Sequence, residues 1–192
     1  MIYFCELEIF EICLQDKKIV LITFKCTHLF FPVMKYRRLT LEELKPLKNE
    51  FIDFLIINGV AASDWEHLLI YDTEKSNKIL DAFGEVVFED IMRKTQFLEF
   101  RGVGELITFN CTSGLIYMAG IRVDDSENQR IDFNDDQSIK QFLVNPCDGI
   151  VVFTDHKKYK SNREKEIFDM IEEGCLISDG KLFKAIATAS VD

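Results

Sequence analysis

The sequence is poor in the residues that build common metal and redox sites. Its 192 residues include only 3 histidines and 6 cysteines, and no two cysteines lie closer than eight positions. This spacing excludes a C-x-x-C motif, which would begin a zinc site or a redox dithiol. The histidines stand at positions 28, 67 and 156, too far apart for the i,i+3 or i,i+4 pairing of helical zinc ligands. We therefore expect neither a metal nor a cofactor.

Positive charge is also scarce. The chain has 23 Lys and Arg against 33 Asp and Glu, a formal net charge of −10. This balance opposes attraction of the whole chain to nucleic acid or an anionic membrane, so only a local basic patch would bind either. An apolar stretch at residues 19–33 is interrupted by Lys25 and His28 and is shorter than the about 20 residues of a membrane-spanning helix. Four acidic residues stand in the first sixteen, where a secretory signal has basic ones, so we expect a soluble cytoplasmic protein.

The composition changes at Met34. Residues 1–33 hold three of the 6 Cys and five of the 17 Phe, but no Gly and no Ala. Two β-rich runs, residues 3–14 and 19–31, predict a hairpin. One interpretation is that residues 1–33 are an added β-hairpin, and the alternative is that they are an extension upstream of the natural start. We expect residues 34–192 to form a single domain, the usual number at this length.

Helical signals dominate residues 40–94. Thr40 with Glu43 forms a capping box, in which each side chain accepts a hydrogen bond from the other residue's backbone amide. The helix that follows is predicted to end at Asn58 and Gly59, and Pro46 is predicted to kink its first turns. Two further helices are expected. A second capping box, Ser63 with Glu66, begins a short helix, and a long helix spans residues 76–94.

The hydrophobic period changes after residue 95. Three β-rich runs are separated by short turns that contain glycine, which favours antiparallel pairing: residues 96–101, 105–111 and 115–123. Residues 124–137 hold six acids and one arginine and predict a solvated loop. The remaining elements are a short helix over residues 136–145, a strand over residues 150–154, and a last helix that begins with a third capping box, Ser161 with Glu164. The expected fold is α+β, with N-terminal helices followed by a small, mostly antiparallel sheet on which a C-terminal helix packs.

Four segments resemble a family of small, functionally uncharacterised bacterial proteins. They are residues 34–40 (MKYRRLT), 50–60 (EFIDFLIINGV), 64–66 (DWE) and 157–174 (KKYKSNREKEIFDMIEEG). The resemblance begins at Met34 and extends to about residue 186. It implies a single intracellular α+β domain that starts at Met34, and it implies no activity and no functional residues.

Signals for catalysis are few. Residues 102–104 (GVG) lack the third glycine and the following helix of a phosphate-binding loop, so they indicate a turn. His67 is a candidate general base, and Cys147 after the short helix is a candidate reactive thiol. No second catalytic residue marks either position, and a structural role is the alternative for both.

One short segment of this acidic chain is locally basic. Residues 156–165 form a predicted basic loop just before a helix, and its candidate anion-binding or phosphate-binding residues are Lys157, Lys158, Tyr159, Lys160, Arg163 and Lys165. Such a loop suits a phosphate, nucleic acid or an acidic protein surface. The alternative is a solvated loop that balances the acidic residues 124–137.

Three hypotheses about function follow from these patterns. The first is a non-catalytic interaction or regulatory module that binds a protein partner, because the chain is small and shows no catalytic spacing. The second is an accessory protein that binds nucleic acid or phosphate through the basic loop. The third is an enzyme with an unrecognised site, for which His67, Cys147 and the acidic loop are the candidates.

Overall fold

The computed structural model describes residues 8–14, 17–23, 34–123, 131–145 and 149–189. The chain divides into two compact units, Met1–Val33 and Met34–Asp192. In the first unit, β1 (Glu8–Leu14) pairs antiparallel with β2 (Lys17–Thr23). These two strands form the predicted hairpin, and the rest of the predicted runs, residues 3–7 and 24–31, lies outside the described residues. The interpretation of the hairpin as an upstream extension, and the independence of the second unit from it, stay predictions.

The second unit opens with the predicted capping box. The Thr40 hydroxyl accepts the Glu43 amide at 3.3 Å, and the Glu43 carboxylate accepts the Thr40 amide at 2.7 Å, at the start of α1 (Leu41–Leu44). A 3-10 turn at Lys45–Leu47 then separates α1 from α2 (Lys48–Ile57). The turn contains Pro46, which lacks the amide that an uninterrupted α-helix would need at this position. The predicted kink thus takes the form of a 3-10 turn.

The next two helices begin earlier than predicted. In α3 (Ala62–Tyr71), Ala61 is the N-cap and Ser63 lies inside the first turn, so the predicted capping box at Ser63 is wrong. The long helix α4 (Thr73–Lys94) starts three residues before its predicted boundary. The reason is Asp72, whose carboxylate accepts the Lys75 amide at 3.0 Å and thereby caps the helix.

The five described strands of the second unit pair antiparallel, which confirms the antiparallel pairing predicted for residues 96–101, 105–111 and 115–123. The sheet order is β6-β5-β4-β3-β7, with bounds β3 (Phe97–Arg101), β4 (Glu105–Cys111), β5 (Leu115–Val123), β6 (Ile150–Lys158) and β7 (Leu176–Ser178). Strand β6 extends four residues beyond the predicted 154, since it pairs with β5 as far as Lys158 opposite Leu115. Strand β7 was not predicted, because three residues are too few to show a period.

Three further helices of this unit are described: α5 (Asp136–Val144), α6 (Arg163–Glu172) and α7 (Lys181–Ala189). The predicted capping box at Ser161 is wrong, because the neighbouring Asn162 caps α6 by accepting the amides of Glu164 and Lys165 at 3.0 and 3.3 Å. Helix α7 was not predicted. No helix in the described ranges combines the length and hydrophobicity needed to cross a bilayer.

The sheet has a hydrophobic core on each face. Side chains alternate along a strand, so Leu98 and Ile116 lie on one face and Leu106 and Ile121 on the other. Helices α4 and α6 contribute to the first core, whose buried residues include Phe88, Met92, Ile167 and Phe168. Helices α5 and α7 contribute to the second, which includes Ile139, Phe142 and Ile186. The packing of α6 on the sheet confirms the predicted C-terminal helix.

The acidic segment is only partly a surface loop. Phe133 is completely buried in the second core, and Val103 forms an isolated bridge with Asp132. The prediction of a solvated loop over residues 124–137 is therefore wrong at Phe133, whose ring anchors the chain before α5. Residues 124–130 lie outside the described residues.

Candidate functional site

The predicted basic loop consists largely of regular structure. His156, Lys157 and Lys158 belong to strand β6, and Arg163 and Lys165 lie in the first turn of α6. Only residues 159–162 connect the two elements. The prediction of a loop over residues 156–165 is therefore wrong outside residues 159–162, and Lys160 is the charged residue that lies in the connection.

A buried carboxylate organises this connection. Glu166 in α6 is only 8% exposed, and its Oε1 lies 2.8 Å from Lys157 Nζ. Its Oε2 accepts the backbone amide of Lys160 at 2.7 Å. Burial alone would raise the pKa of Glu166, but Lys157 and the amides of Lys160 and Ser161 outweigh it, so the pKa lies below its ordinary value. The charge of Lys157 is thus balanced by a carboxylate of the same unit.

Arg163 holds three elements together from inside. Its guanidinium donates to the carbonyl oxygens of Met92 at 3.0 Å and Thr95 at 2.5 Å, at the C-terminal end of α4. It also donates to Cys111 at 2.9 Å and Thr112 at 3.1 Å, where β4 ends. Carbonyls at the end of a helix lack helical partners, and a cation there is favourable. Four of the five guanidinium N–H groups are engaged in this way.

Tyr159 and Lys165 also have partners within the unit. The half-buried Tyr159 donates its hydroxyl to the Thr112 carbonyl at 2.7 Å, and burial raises its pKa to about 12. Lys165 forms an ion pair with Asp169 one turn later. Of the six predicted ligand-binding residues, only Lys158 and Lys160 are exposed cations whose side chains meet no carboxylate among the described residues. Whether this group binds an anion stays a prediction.

A polar cleft of about 680 Å³ adjoins the Arg163 side chain. It lies between the end of α4, the turn after β4 and the start of α6, and its polar lining includes Arg93, Gln96, Asn110 and Ser113. Cys111 lines the cleft but is only 2% exposed, and burial raises the pKa of its thiol to about 11. A thiol with this pKa is protonated at neutral pH and is a weak nucleophile.

His67 is the remaining catalytic candidate that the structure describes. His67 borders a smaller cavity of about 340 Å³ together with Asp64 and Lys75, and its ring centroid lies 4.6 Å from that of Tyr71. Cys147 lies outside the described residues. Among the residues that the structure describes, no three His, Cys, Asp or Glu side chains are grouped to hold a metal ion.

Helices α2 and α3 leave many apolar side chains exposed. None of the ten residues of α3 is buried, and Ile70 and Tyr71 are 70% and 73% exposed. Only Trp65 and Leu68 turn inward, with the Trp65 ring 5.2 Å from Phe51. We call the exposed apolar residues of these two helices the helical surface: Ile52, Ile56, Ile57, Leu69, Ile70 and Tyr71. Sequence reasoning missed it, because an apolar helical stripe normally indicates a core.

The charges around the helical surface are mostly negative. Residues 48–72 contain five acidic residues and a single lysine. Glu50, Asp53, Asp64, Glu66 and Asp72 are all exposed. The two helices therefore combine exposed apolar side chains with an excess of exposed carboxylates.

Comparison with known proteins places the second unit in a family. A model described as "Family of unknown function (DUF6495)" matches residues 34–190. No curated protein and no solved structure matches the chain. The match confirms the resemblance to an uncharacterised family, and its first residue is the Met34 at which the composition changes.

Proposed function

The chain belongs to DUF6495, a family of unknown function, and we propose that it is a non-catalytic interaction module. In this proposal the helical surface binds a basic amphipathic segment of a partner protein. The observation that carries the proposal is helix α3, which leaves all of its ten residues unburied although it is rich in large apolar side chains.

The energetics of α3 favour a partner. A ten-residue helix is marginal in water by itself, because the stability of protein helices comes mostly from packing an apolar face. Burying a single isoleucine side chain such as that of Ile70 contributes about 1.5–3 kcal/mol. Large exposed apolar surfaces on soluble proteins commonly mark sites of interaction. Docking of a partner would supply the burial that α3 lacks.

Electrostatics indicate the chemistry of that partner. With five acids and one lysine in residues 48–72, a segment with lysines or arginines beside its apolar residues is complementary. Charge complementarity contributes mainly to specificity and association rate, whereas apolar burial contributes most of the affinity. We also propose a cytoplasmic location, supported by the buried free thiols of Cys111 and Cys175.

Site-specific photo-crosslinking tests this function. Ile70 is replaced by a benzophenone amino acid in one full-length variant, and Val86 on α4, which is 55% exposed, is replaced in the control. Both variants are irradiated in extract of the cells that naturally produce the protein. We expect a partner adduct from position 70 and none from position 86, and the crosslinked peptide should be amphipathic with a basic polar side. An adduct of equal yield from both positions, an acidic crosslinked segment, or no adduct from position 70 would overturn the proposal.

The binding of nucleic acid or phosphate is the second candidate function. It is supported by the exposed ammonium groups of Lys158 and Lys160, which lie at the end of β6 and just beyond it. Two of the predicted cations are already engaged within the unit, because Lys157 pairs with Glu166 and Arg163 donates to four carbonyls. Its test is the salt dependence described in the Discussion.

A further inference from the structure

We infer that the edge strand β6 is a second docking site, which adds an extended partner segment to the sheet as a sixth strand. The segment has acidic residues at its N-terminal end followed by alternating apolar residues, and it runs antiparallel to β6. The segment proposed for β6 is acidic, whereas the segment proposed for the helical surface is basic. The inference about β6 does not depend on the proposal for the helical surface.

The direction of the backbone groups of β6 follows from its neighbours. The Val123 amide donates to the Gly104 carbonyl at 2.9 Å, and the Leu115 carbonyl accepts the Thr112 amide at 3.0 Å. Odd-numbered residues of β5 therefore face β4, and even-numbered residues face β6. In an antiparallel pair the N–H and C=O of one residue point the same way. Since Gly120 pairs with Phe153, the odd-numbered residues of β6 bond to β5 and the even-numbered ones point outward.

Only part of this outer edge is protected. The His156 amide is satisfied by the carboxylate of the preceding Asp155 at 2.7 Å. The outward groups of Ile150, Val152 and Thr154 meet no partner among the described residues. Natural proteins usually block exposed edges with charges, proline or a covering element. Here the charged residues lie in the second half of the strand, and the first half offers unpaired backbone groups at alternate positions.

The edge strand is packed closely against its neighbour β5. The Phe153 ring lies over Gly120, where an added Cβ would approach the ring to 2.4 Å. The Arg122 guanidinium carbon stands 5.5 Å from the centroid of the same ring. Backbone groups that are fixed before binding lose little conformational entropy when a strand is added, so the geometry of β6 favours strand addition.

The side chains of β6 define the occupant. Val151 and Val152 lie on opposite faces of the sheet and are 54% and 39% exposed, so an added strand gains apolar contacts on both faces. Lys158 at the other end has no carboxylate partner in the described ranges. An acidic residue opposite Lys158 would pair with it, as oppositely charged residues do across strands.

A second copy of the chain fits this edge poorly. If two β6 strands paired antiparallel about Thr154, Lys158 would lie opposite Ile150 and Lys157 opposite Val151. Such pairing places ammonium groups beside apolar side chains and forms no opposite-charge pair at the strand ends. In every antiparallel register the outward Lys158 lies opposite another even-numbered residue of β6, none of which is acidic, so the acidic occupant is a segment of another protein.

A labelled synthetic peptide tests the inference by fluorescence anisotropy. The probe is EDTVTVTV, and its reversed sequence is the control for direction. In two further peptides alternate backbone amides are N-methylated, at the odd-numbered residues in one peptide and at the even-numbered residues in the other. We expect the probe to bind, the reversed peptide to bind at least tenfold more weakly, and only one N-methylated set to lose binding, because alternate amides of an added strand face β6. Absence of binding at millimolar concentration, or equal effects of both N-methylated sets, would overturn strand addition.

Protein variants locate the binding to β6. Val152→Pro removes an outward amide that does not bond to β5, so the sheet should remain while the edge is blocked. We expect this variant to lose probe binding. Lys158→Glu should weaken the probe at least fivefold and favour a probe that begins with lysines instead. If Val152→Pro fails to fold, the charge exchange and the N-methylated pair decide the question. An unchanged affinity in Lys158→Glu would overturn the inference, whereas Ile70→Glu should leave the probe affinity unchanged whatever the function of the helical surface.

Discussion

Replacement of Arg163 by alanine should destabilise the second unit strongly. The guanidinium satisfies the carbonyl oxygens of Met92, Thr95, Cys111 and Thr112. In the variant, Thr112 keeps the hydroxyl of Tyr159 as a donor. The three other carbonyls lose a charged donor, and an unsatisfied buried acceptor costs about 1–3 kcal/mol.

The size of the effect depends on water. Cys111 lines the adjoining cleft of about 680 Å³, and replacement of a lost hydrogen bond by water from the cleft favours the lower end of that range. Three carbonyls at about 1 kcal/mol each give a loss of about 3 kcal/mol in the free energy of unfolding. This is a large share of the 5–15 kcal/mol that is typical of a domain.

Urea unfolding followed by circular dichroism measures this loss. Lys165→Ala is the matched control, because it removes a cation two residues away whose partner, Asp169, is on the same helix. We expect the control to change stability by less than about 0.5 kcal/mol, as helical surface pairs do. A loss below about 1 kcal/mol in Arg163→Ala, or equal losses in the two variants, would refute the assignment of Arg163 as an interior clamp.

Three more predictions test the remaining features. Because the pKa of Glu166 is lowered in the folded chain, its ion pair stabilises above the unfolded pKa of about 4.3 and is lost as the pH falls further; Glu166→Gln should therefore lower the urea midpoint at pH 6 but less at pH 3, and a pH-independent difference would contradict this. If Lys158 and Lys160 contact phosphates, the affinity for single-stranded RNA should fall with log[salt] at a slope of about −1.4, and replacing both by Glu should abolish binding; a slope near −3 would show that further cations contribute. Gly120→Ala should destabilise by about 1–3 kcal/mol through overpacking against Phe153, with recovery in the double variant Gly120→Ala/Phe153→Leu, and a thermal midpoint equal to wild type would exclude the clash.

Strand bounds and helix caps were predictable from the sequence where the signal for them lies within a few neighbouring residues. Strands β4 and β5 have the predicted bounds, since alternation and a glycine turn both act within a few residues. The capping box at Thr40 is confirmed for the same reason. The cap of α6 was displaced by one residue because Ser161 and Asn162 are both good N-caps, and the structure uses Asn162. The short β7 is defined only by its pairing with β3.

The properties of the surface depend on tertiary structure. The composition identified the basic run, but the carbonyls that Arg163 meets come from residues far away along the chain. The burial of Glu166 is likewise set by packing and has no signature in a sequence of alternating charges. The exposure of α3 could not be predicted from the sequence, because the same apolar pattern is found in helices packed in a core and in helices whose apolar face is exposed.

The order of strands in the sheet has a consequence for synthesis on the ribosome. Strands β3, β4 and β5 form a continuous meander, whereas both outer strands come from the last part of the chain. When the meander has emerged, its two outer strands, β5 and β3, have no neighbouring strand until β6 and then β7 are synthesised. Phe97 of β3, for example, pairs with Ser178 of β7. Short-range pairing forms faster than long-range pairing, so the nascent meander should exist for a time with two open sides. During that interval the growing chain is most exposed to misassembly, and slower translation of residues 124–178 would lengthen the exposure.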